Sequence, residues 1–173
     1  MKKILIACIN NQYVIGRNNK LIYHVKNDTN NFKRLTKDNV VIMGRKTYES
    51  IPNHPLKNRV NIVITSNPQY KEQHPDEKII IADSIEKAVK LASIQYNDKI
   101  AYIIGGASIY DEALRKGLIN EIFLTKVDDD SKEADDARIN DKLIENSFQE
   151  IFSTLPQNEN NITFSYHLYK KKL

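Results

Sequence analysis

The feature that most constrains this chain is its alternation of short apolar runs with short helical ones. Lys3–Ile9, Val40–Met43, Asn61–Thr65, Ile79–Ala82, Ile100–Ile104 and Glu121–Val127 read as strands. Several are almost continuously apolar, as strands covered on both faces are. Asn27–Thr36, Thr47–Ile51, Ser84–Ser93 and Ser108–Lys116 read as helices between them. Ile85, Ala88, Val89 and Ala92 share one face of the third helix, Asp83 or Ser84 caps its start, and Gly117 closes the fourth. Near the carboxyl end the pattern changes. Phe148–Thr154 and Ile162–Tyr169 read as longer strands joined through Pro156 and Asn158-Glu159-Asn160-Asn161, and Ile162, Phe164, Tyr166 and Leu168 alternate with their neighbours. Asn11–His24 and the acidic Asp128–Asp136 read as loops. Strand–helix alternation followed by a terminal hairpin implies an α/β domain. Its sheet is mostly parallel, with helices on both faces and an antiparallel edge.

Composition narrows the function classes. A chain of 173 residues suits a single domain over 1–173, which can bury about 70% of its unfolded surface. Cys8 is the only cysteine, so a disulfide framework is excluded. No apolar run approaches the ~20 residues that cross a bilayer, so no membrane partner is expected. Met1-Lys2-Lys3 ahead of Ile4–Ile9 resembles a signal peptide, but the run is shorter than the ~7–15 residues of a signal core. We therefore expect a first strand in a cytoplasmic protein. The net charge is +4. Lysines at the two ends carry part of it, and joint Ile, Lys and Asn richness is what an A/T-rich coding sequence produces. No nucleic-acid partner is expected. His24, His54, His74 and His167 are dispersed, and the Asp128–Asp136 run lacks the glycine and terminal glutamate of a calcium loop. No metal is expected either.

Three places carry chemistry. Val25, Asp28, Phe32 and Leu35 fall on one helical face, and Asp28 is the only charge on it. A carboxylate facing the interior needs a partner. From spacing alone, Asp28 either caps its own helix or awaits a ligand. Gly44-Arg45-Lys46-Thr47 turns from a strand into a helix beside two cations and a hydroxyl, which suits phosphate. Gly105-Gly106-Ala107-Ser108 makes the same strand-to-helix turn without the full G-x-G-x-x-G pattern.

Taken in order, these pieces resemble dihydrofolate reductase from about Ile4 to Tyr169. The resemblance rests on Val14-Ile15-Gly16, Asp28 with Phe32-Lys33-Arg34, the Val41–Ile51 block, Arg59, Ile103-Ile104-Gly105-Gly106 with Tyr110, and Leu124-Thr125. It implies a mixed eight-stranded sheet with about four helices, and a monomer that reduces 7,8-dihydrofolate with NADPH. Asp28 would accept hydrogen bonds from the pteridine's amidine-like edge, with Thr125 orienting it and Tyr23 acting through its hydroxyl. Ile6, Ala7, Phe32, Ile51, Leu56 and Ile104 would line the substrate pocket, and Arg59 would fork onto the glutamate tail. On the cofactor side, Gly44, Arg45, Lys46, Thr47, Thr65 and Ser66 would hold the adenosine end. Gly105, Gly106, Ala107, Ser108, Ile109 and Tyr110 would cradle the pyrophosphate. Ala7 and Ile104 would also touch the cofactor, and Ile15, Gly16, Asn19, Lys20 and Leu21 would belong to a mobile loop over the nicotinamide.

Three departures accompany the resemblance. Ile22-Tyr23 stands where the family commonly has Pro-Trp, Ser108 where many relatives carry an arginine, and Asp128–Asp136 is longer and more acidic than usual. Two other readings share the fold class: a pyrimidine reductase of riboflavin synthesis, and a non-catalytic protein that binds pterin or nucleotide.

Overall fold

The computed structural model describes residues 1–173. Strands β1 (Lys3–Asn10), β2 (Val14–Arg17) and β3 (Lys20–Leu21) precede helix α1 (Lys26–Thr36). Then come β4 (Val40–Gly44), α2 (Arg45–Ser50), β5 (Val60–Ile64), α3 (Tyr70–Gln73) and β6 (Ile79–Ala82). They are followed by α4 (Ile85–Gln95), β7 (Ala101–Ile103), α5 (Ala107–Arg115) and β8 (Glu121–Val127). The chain closes with β9 (Ala137–Arg138), α6 (Asp141–Ser147), β10 (Phe148–Ser153), β11 (Gln157–Glu159) and β12 (Ile162–Lys171).

The main sheet runs β10-β12-β8-β1-β7-β4-β5-β6, with β11 pairing on β12. From β8 to β6 all neighbours are parallel, whereas β12 is antiparallel to β8 and β10 to β12. This is the mixed sheet with an antiparallel edge hairpin that the sequence implies. The apolar runs of the parallel strands serve two layers at once. Leu5, Ile42, Ile62, Ile103 and Leu124 join α4, α5 and α6 in one core. Ile4, Ile6, Val41, Met43, Val63 and Tyr102 join α1, α2 and α3 in the other. From β1 the chain steps over the slot later filled by β7 to reach β4, and afterwards lays β8 on the other side of β1. Ligand crevices in such sheets form at the carboxyl ends of strands around this reversal.

Several elements differ from the sequence reading. Asn11–His24 is not a simple loop: β2 and β3 form a hairpin with Gly16 opposite Leu21 and Arg17 opposite Lys20. Asn18 and Asn19 make its two-residue turn with φ of 51° and 58°, the left-handed pair that asparagine tolerates. The hairpin pairs with β9 as a small second sheet. Helices α3 and α6 went unread because four and seven residues show too little period. The segment expected to join the last two strands is itself β11. The alternation along β12 is also blurred, because Phe164 is buried with Val25 and Val127 while Tyr169 is buried in the larger core.

Candidate active site

Two glycine turns at the ends of β4 and β7 form one side of the crevice. They are neighbours because β4 and β7 are paired, and the Gly44 amide donates to the Gly105 carbonyl at 2.9 Å. Gly44 precedes α2 and Gly106 precedes α5, and neither helix start has a side-chain cap. The first amides of α5 therefore lack a protein side-chain partner and favour an anion. Gly105 has φ +123°, outside the range of other residues, and a Cβ on Gly106 would come within 3.2 Å of the Thr47 hydroxyl. The Tyr110 hydroxyl donates 2.7 Å to the Ile6 carbonyl and so pins α5 to β1. Lys46 has no ion-pair partner, whereas Arg45 pairs with Glu49 at 2.8 Å.

A cleft of about 610 Å³ opens here. Ala7, Ile15, Gly16, Asn19, Lys20, Leu21, Gly44, Arg45, Lys46, Thr47, Thr65 and Ser66 line it. So do Ile104, Gly105, Gly106, Ala107, Ser108, Ile109 and Tyr110. Every residue expected on the cofactor side thus borders one cavity. Asn18, within the Ile15–Leu21 segment expected to form the mobile loop, borders it too, as do Cys8, Ser50, Ile64, Asp135 and Ala137, which the sequence does not single out for this side. Burial pushes the Cys8 thiol up, with the nearby Asp28 charge adding to the rise, so Cys8 is a packing group and not a thiolate. The bare amides, the space reserved by glycine and the unpaired Lys46 fit a dinucleotide with its phosphates on this side.

Asp28 lies in the first turn of α1, and the Thr125 hydroxyl on β8 donates to its Oδ1. Thr125 is 1% exposed. Asp28 does not cap its own helix, and no Lys, Arg or His pairs with it. Burial pushes its carboxyl above the ordinary aspartate value, and the Thr125 hydrogen bond opposes part of that rise. Phe32, Ile51, Leu56 and Ile104 pack with Ile6 in the α1–α2 core layer. Of these residues only Ile104 lines the cavity just described, which Ala7 of the expected substrate side also lines. Asp28 lies close enough to Cys8, a cavity-lining residue on β1, to act on its thiol, so the acid stands next to the margin of that cleft.

Arg59 approaches the same region with an unmatched charge. Its guanidinium donates to Thr36 Oγ1 at 3.1 Å, the Lys57 carbonyl at 2.6 Å and the Lys33 carbonyl at 2.8 Å. No carboxylate lies within ion-pair distance, and burial lowers its pKa against the weak pull of Asp38. Asn61 places this loop: its side chain accepts from the Leu56 amide and donates to the Leu56 and Arg59 carbonyls. Sequence reading treated Asn61 as an ordinary strand residue. Its one signal was an amide in a run that is otherwise apolar, since a buried amide must be satisfied.

The Tyr23 hydroxyl, expected to act towards the substrate, donates to Asp129 on the acidic segment. The acidic segment is bound to the hairpin region at several other points. Arg17 forks onto Asp136 at 2.6 and 2.9 Å and reaches Glu133 at 2.9 Å. Asn11 donates to both Asp128 and Asp130 at 3.0 Å. Arg17 holds the Asp136 carboxyl down at about 2.

Fold and cleft together define an α/β protein with a two-glycine cleft beside a shielded, unpaired acid. Comparison with known proteins makes this specific. A family model described as dihydrofolate reductase matches residues 3–171. The dihydrofolate reductase of Buchnera aphidicola subsp. Acyrthosiphon pisum (strain APS) is 45% identical over 126 residues, 73% of this chain and 72% of that one. The bifunctional dihydrofolate reductase-thymidylate synthase of Paramecium tetraurelia is 34% identical over 158 residues, 91% of this chain but 32% of its own length. A solved dihydrofolate reductase from Enterococcus faecalis, complexed with NADP(H) and RAB-propyl, superposes with a TM-score of 0.81. It is 26% identical, and the match covers 98% of this chain and 96% of that one. The chain belongs to the dihydrofolate reductase family. No helix is long and apolar enough to cross a membrane.

Proposed function

We propose that this protein reduces 7,8-dihydrofolate to 5,6,7,8-tetrahydrofolate with NADPH, as a monomer of one domain over 1–173 in the cytoplasm. The observation that carries the reading is the Asp28 carboxylate. It is shielded, unpaired by any cation and bonded by Thr125 beside a dinucleotide-sized cleft. The solved relative bound to NADP(H) supports the cofactor, and the family match from 3 to 171 supports the reaction.

NADPH, when bound, supplies a hydride from nicotinamide C4 to pteridine C6. The chain's own residues do the rest. Asp28 accepts two hydrogen bonds from the pterin's amidine-like edge, and its negative charge favours the N5-protonated ring that receives hydride. The Thr125 hydroxyl, already donating to Oδ1, fixes the carboxylate plane. Ile6, Ala7, Phe32, Ile51, Leu56 and Ile104 pack on the ring and benzoyl group, and Arg59 takes the tail carboxylate in exchange for backbone carbonyls. Lys46, Thr47 and the α5 amides hold the phosphates, while the β2–β3 hairpin excludes water. Loss of nicotinamide absorbance on adding dihydrofolate tests the proposal. No loss at high protein concentration would favour a binding protein, and turnover of a riboflavin-pathway pyrimidine instead would favour the other reductase.

A further inference from the structure

Helix α1 begins without a cap of its own. Val25 holds the N-cap position with extended dihedrals (φ −107°, ψ 112°) and makes no side-chain cap bond. The first amides of such a helix are orphaned unless something else reaches them. Both of the first two are nevertheless taken by one carboxylate from elsewhere. Glu159 Oε2 accepts from the Lys26 amide at 2.5 Å and Oε1 from the Asn27 amide at 3.0 Å. The two partners are 133 and 132 residues apart in sequence.

The aim of Glu159 is built into its hairpin. Asn160 and Asn161 have φ of 51° and 64° and close a two-residue turn that sets Glu159 opposite Ile162. A slip of one residue would turn the glutamate to the opposite face. The Asn158 side chain donates to Thr163 Oγ1 at 3.2 Å, and the Asp128 amide to the Thr163 carbonyl at 2.8 Å. The hairpin is thereby tied to the end of β8, the strand that carries Thr125. Through residues 155–161, Glu159 alone is not exposed.

The next residue along the helix is Asp28. We propose that Glu159 is a positioning residue for it. By capping α1 in trans, the β11–β12 hairpin, and not the helix's own sequence, sets the first turn that presents the acid to Thr125. This role presupposes that Asp28 binds the pterin. A frayed first turn leaves the cofactor cradle of α2 and α5 untouched but lets Asp28 drift from its hydrogen bond, so the effect is one-sided.

The experiment uses the full chain with Glu159→Ala, Glu159→Gln, and Glu159→Ala combined with Lys26→Pro. Proline at the first helical position removes one orphan amide and presets φ, and the extended Val25 already suits a following proline. Glu159→Ala should lower kcat/KM for dihydrofolate about fivefold, the effect of losing a typical cap. It should leave the NADPH KM within about twofold of the parent and speed amide exchange at Lys26 and Asn27. Glu159→Gln, which keeps one acceptor, should fall between parent and alanine. Adding Lys26→Pro should restore most of the loss. Unchanged turnover despite faster amide exchange would overturn the positioning role. So would equal weakening of both ligands that proline does not rescue, which is the mark of general destabilisation. A parent that does not turn over dihydrofolate would refute the pterin reading, and the positioning role would go with it; amide exchange would still report separately whether Glu159 caps the helix.

Discussion

Asparagine at position 28 keeps the shape of the acid and removes its charge. In the structure only Oδ1 of Asp28 has a protein partner, the Thr125 hydroxyl, and no fully buried side-chain nitrogen or oxygen lacks one. Oδ2 is therefore reachable from outside the core. With the amide in place, one acceptor facing the pterin's paired donors becomes a donor. A hydrogen bond to a charged group worth about 1.5–3 kcal/mol is lost. The other bond keeps its geometry but forfeits charge assistance, about 1 kcal/mol more. The total of roughly 2.5–4 kcal/mol, at ~1.36 kcal/mol per decade, predicts hydride transfer slowed by about 10²- to 10³-fold. Single-turnover rates at neutral pH with saturating NADPH measure this, and nicotinamide fluorescence gives the cofactor Kd, which should stay near that of the parent. A loss below about tenfold, or a cofactor Kd raised as much as the substrate's, would refute the assignment.

The same substitution should move stability the other way. Burial raises the folded-state pKa of Asp28 above its unfolded value, so folding favours the protonated acid. That contribution is complete below the unfolded value, ~3.9, and is lost as pH rises through the raised folded one. Asparagine is neutral throughout. Asp28→Asn should therefore resist urea better than the parent at neutral pH, and the gap should close in acid. A variant no more stable than the parent at neutral pH would show that the acid is not held at a cost.

Other substitutions separate the two halves of the crevice. Lys46→Ala should weaken NADPH about five- to tenfold, the share of one partly exposed charged contact, while dihydrofolate binding barely changes; equal weakening of both would count against the phosphate role. Arg59→Gln should raise the KM for dihydrofolate on the order of tenfold yet leave a dihydropterin without a glutamate tail unaffected, as steady-state kinetics with both substrates would show. Asp136→Asn should release Arg17 and speed cofactor dissociation, measured by stopped-flow competition. Because the Asp136 pKa is depressed to about 2, its contribution to stability is present above the unfolded value of ~3.9 and disappears as pH falls towards about 2. The variant's deficit against the parent should fade over that window.

The proposed cofactor half of the site was legible as a cleft because it is local. A glycine turn between strand and helix fixes backbone amides within a few residues, so Gly44–Thr47 and Gly105–Ser108 could be read from spacing. The parallel sheet was legible for a related reason, since strands covered on both faces must be apolar throughout. The proposed pterin half draws single side chains from separate elements: Asp28 on α1, Thr125 on β8, and Arg59 on a loop pinned by Asn61. Spacing left Asp28 poised between a cap and a ligand, and only the resemblance supplied its partners. The structure removes the first option, because the cap comes from Glu159. A contact spanning more than a hundred residues leaves no mark on local pattern.

This distinction also explains the departures near the amino end. Ile22-Tyr23 and the long acidic segment look independent in sequence, and the segment reads there as a solvated loop. In the structure they are one feature. Asp129 accepts the Tyr23 hydroxyl, Asp128 and Asp130 accept Asn11, and Asp136 with Glu133 holds Arg17. The buried Asn10 donates to the Ser131 carbonyl at 2.7 Å and accepts from the Gln12 and Val14 amides, which ties both segments to the end of β1. An acidic run of this density would repel itself in solution unless donors were spread among its members. Here Asn11, Arg17 and Tyr23 are those donors. Tyrosine at position 23 is then explained by what it donates to: an indole could supply an N–H there, but from a different distance and angle, and the acidic segment would have to move to meet it. The tyrosine and the acids hold the segment leading to α1 at Tyr23, and Glu159 holds the helix start at Lys26 and Asn27, so two stretches of chain, 128–136 and 157–162, fix the approach to Asp28.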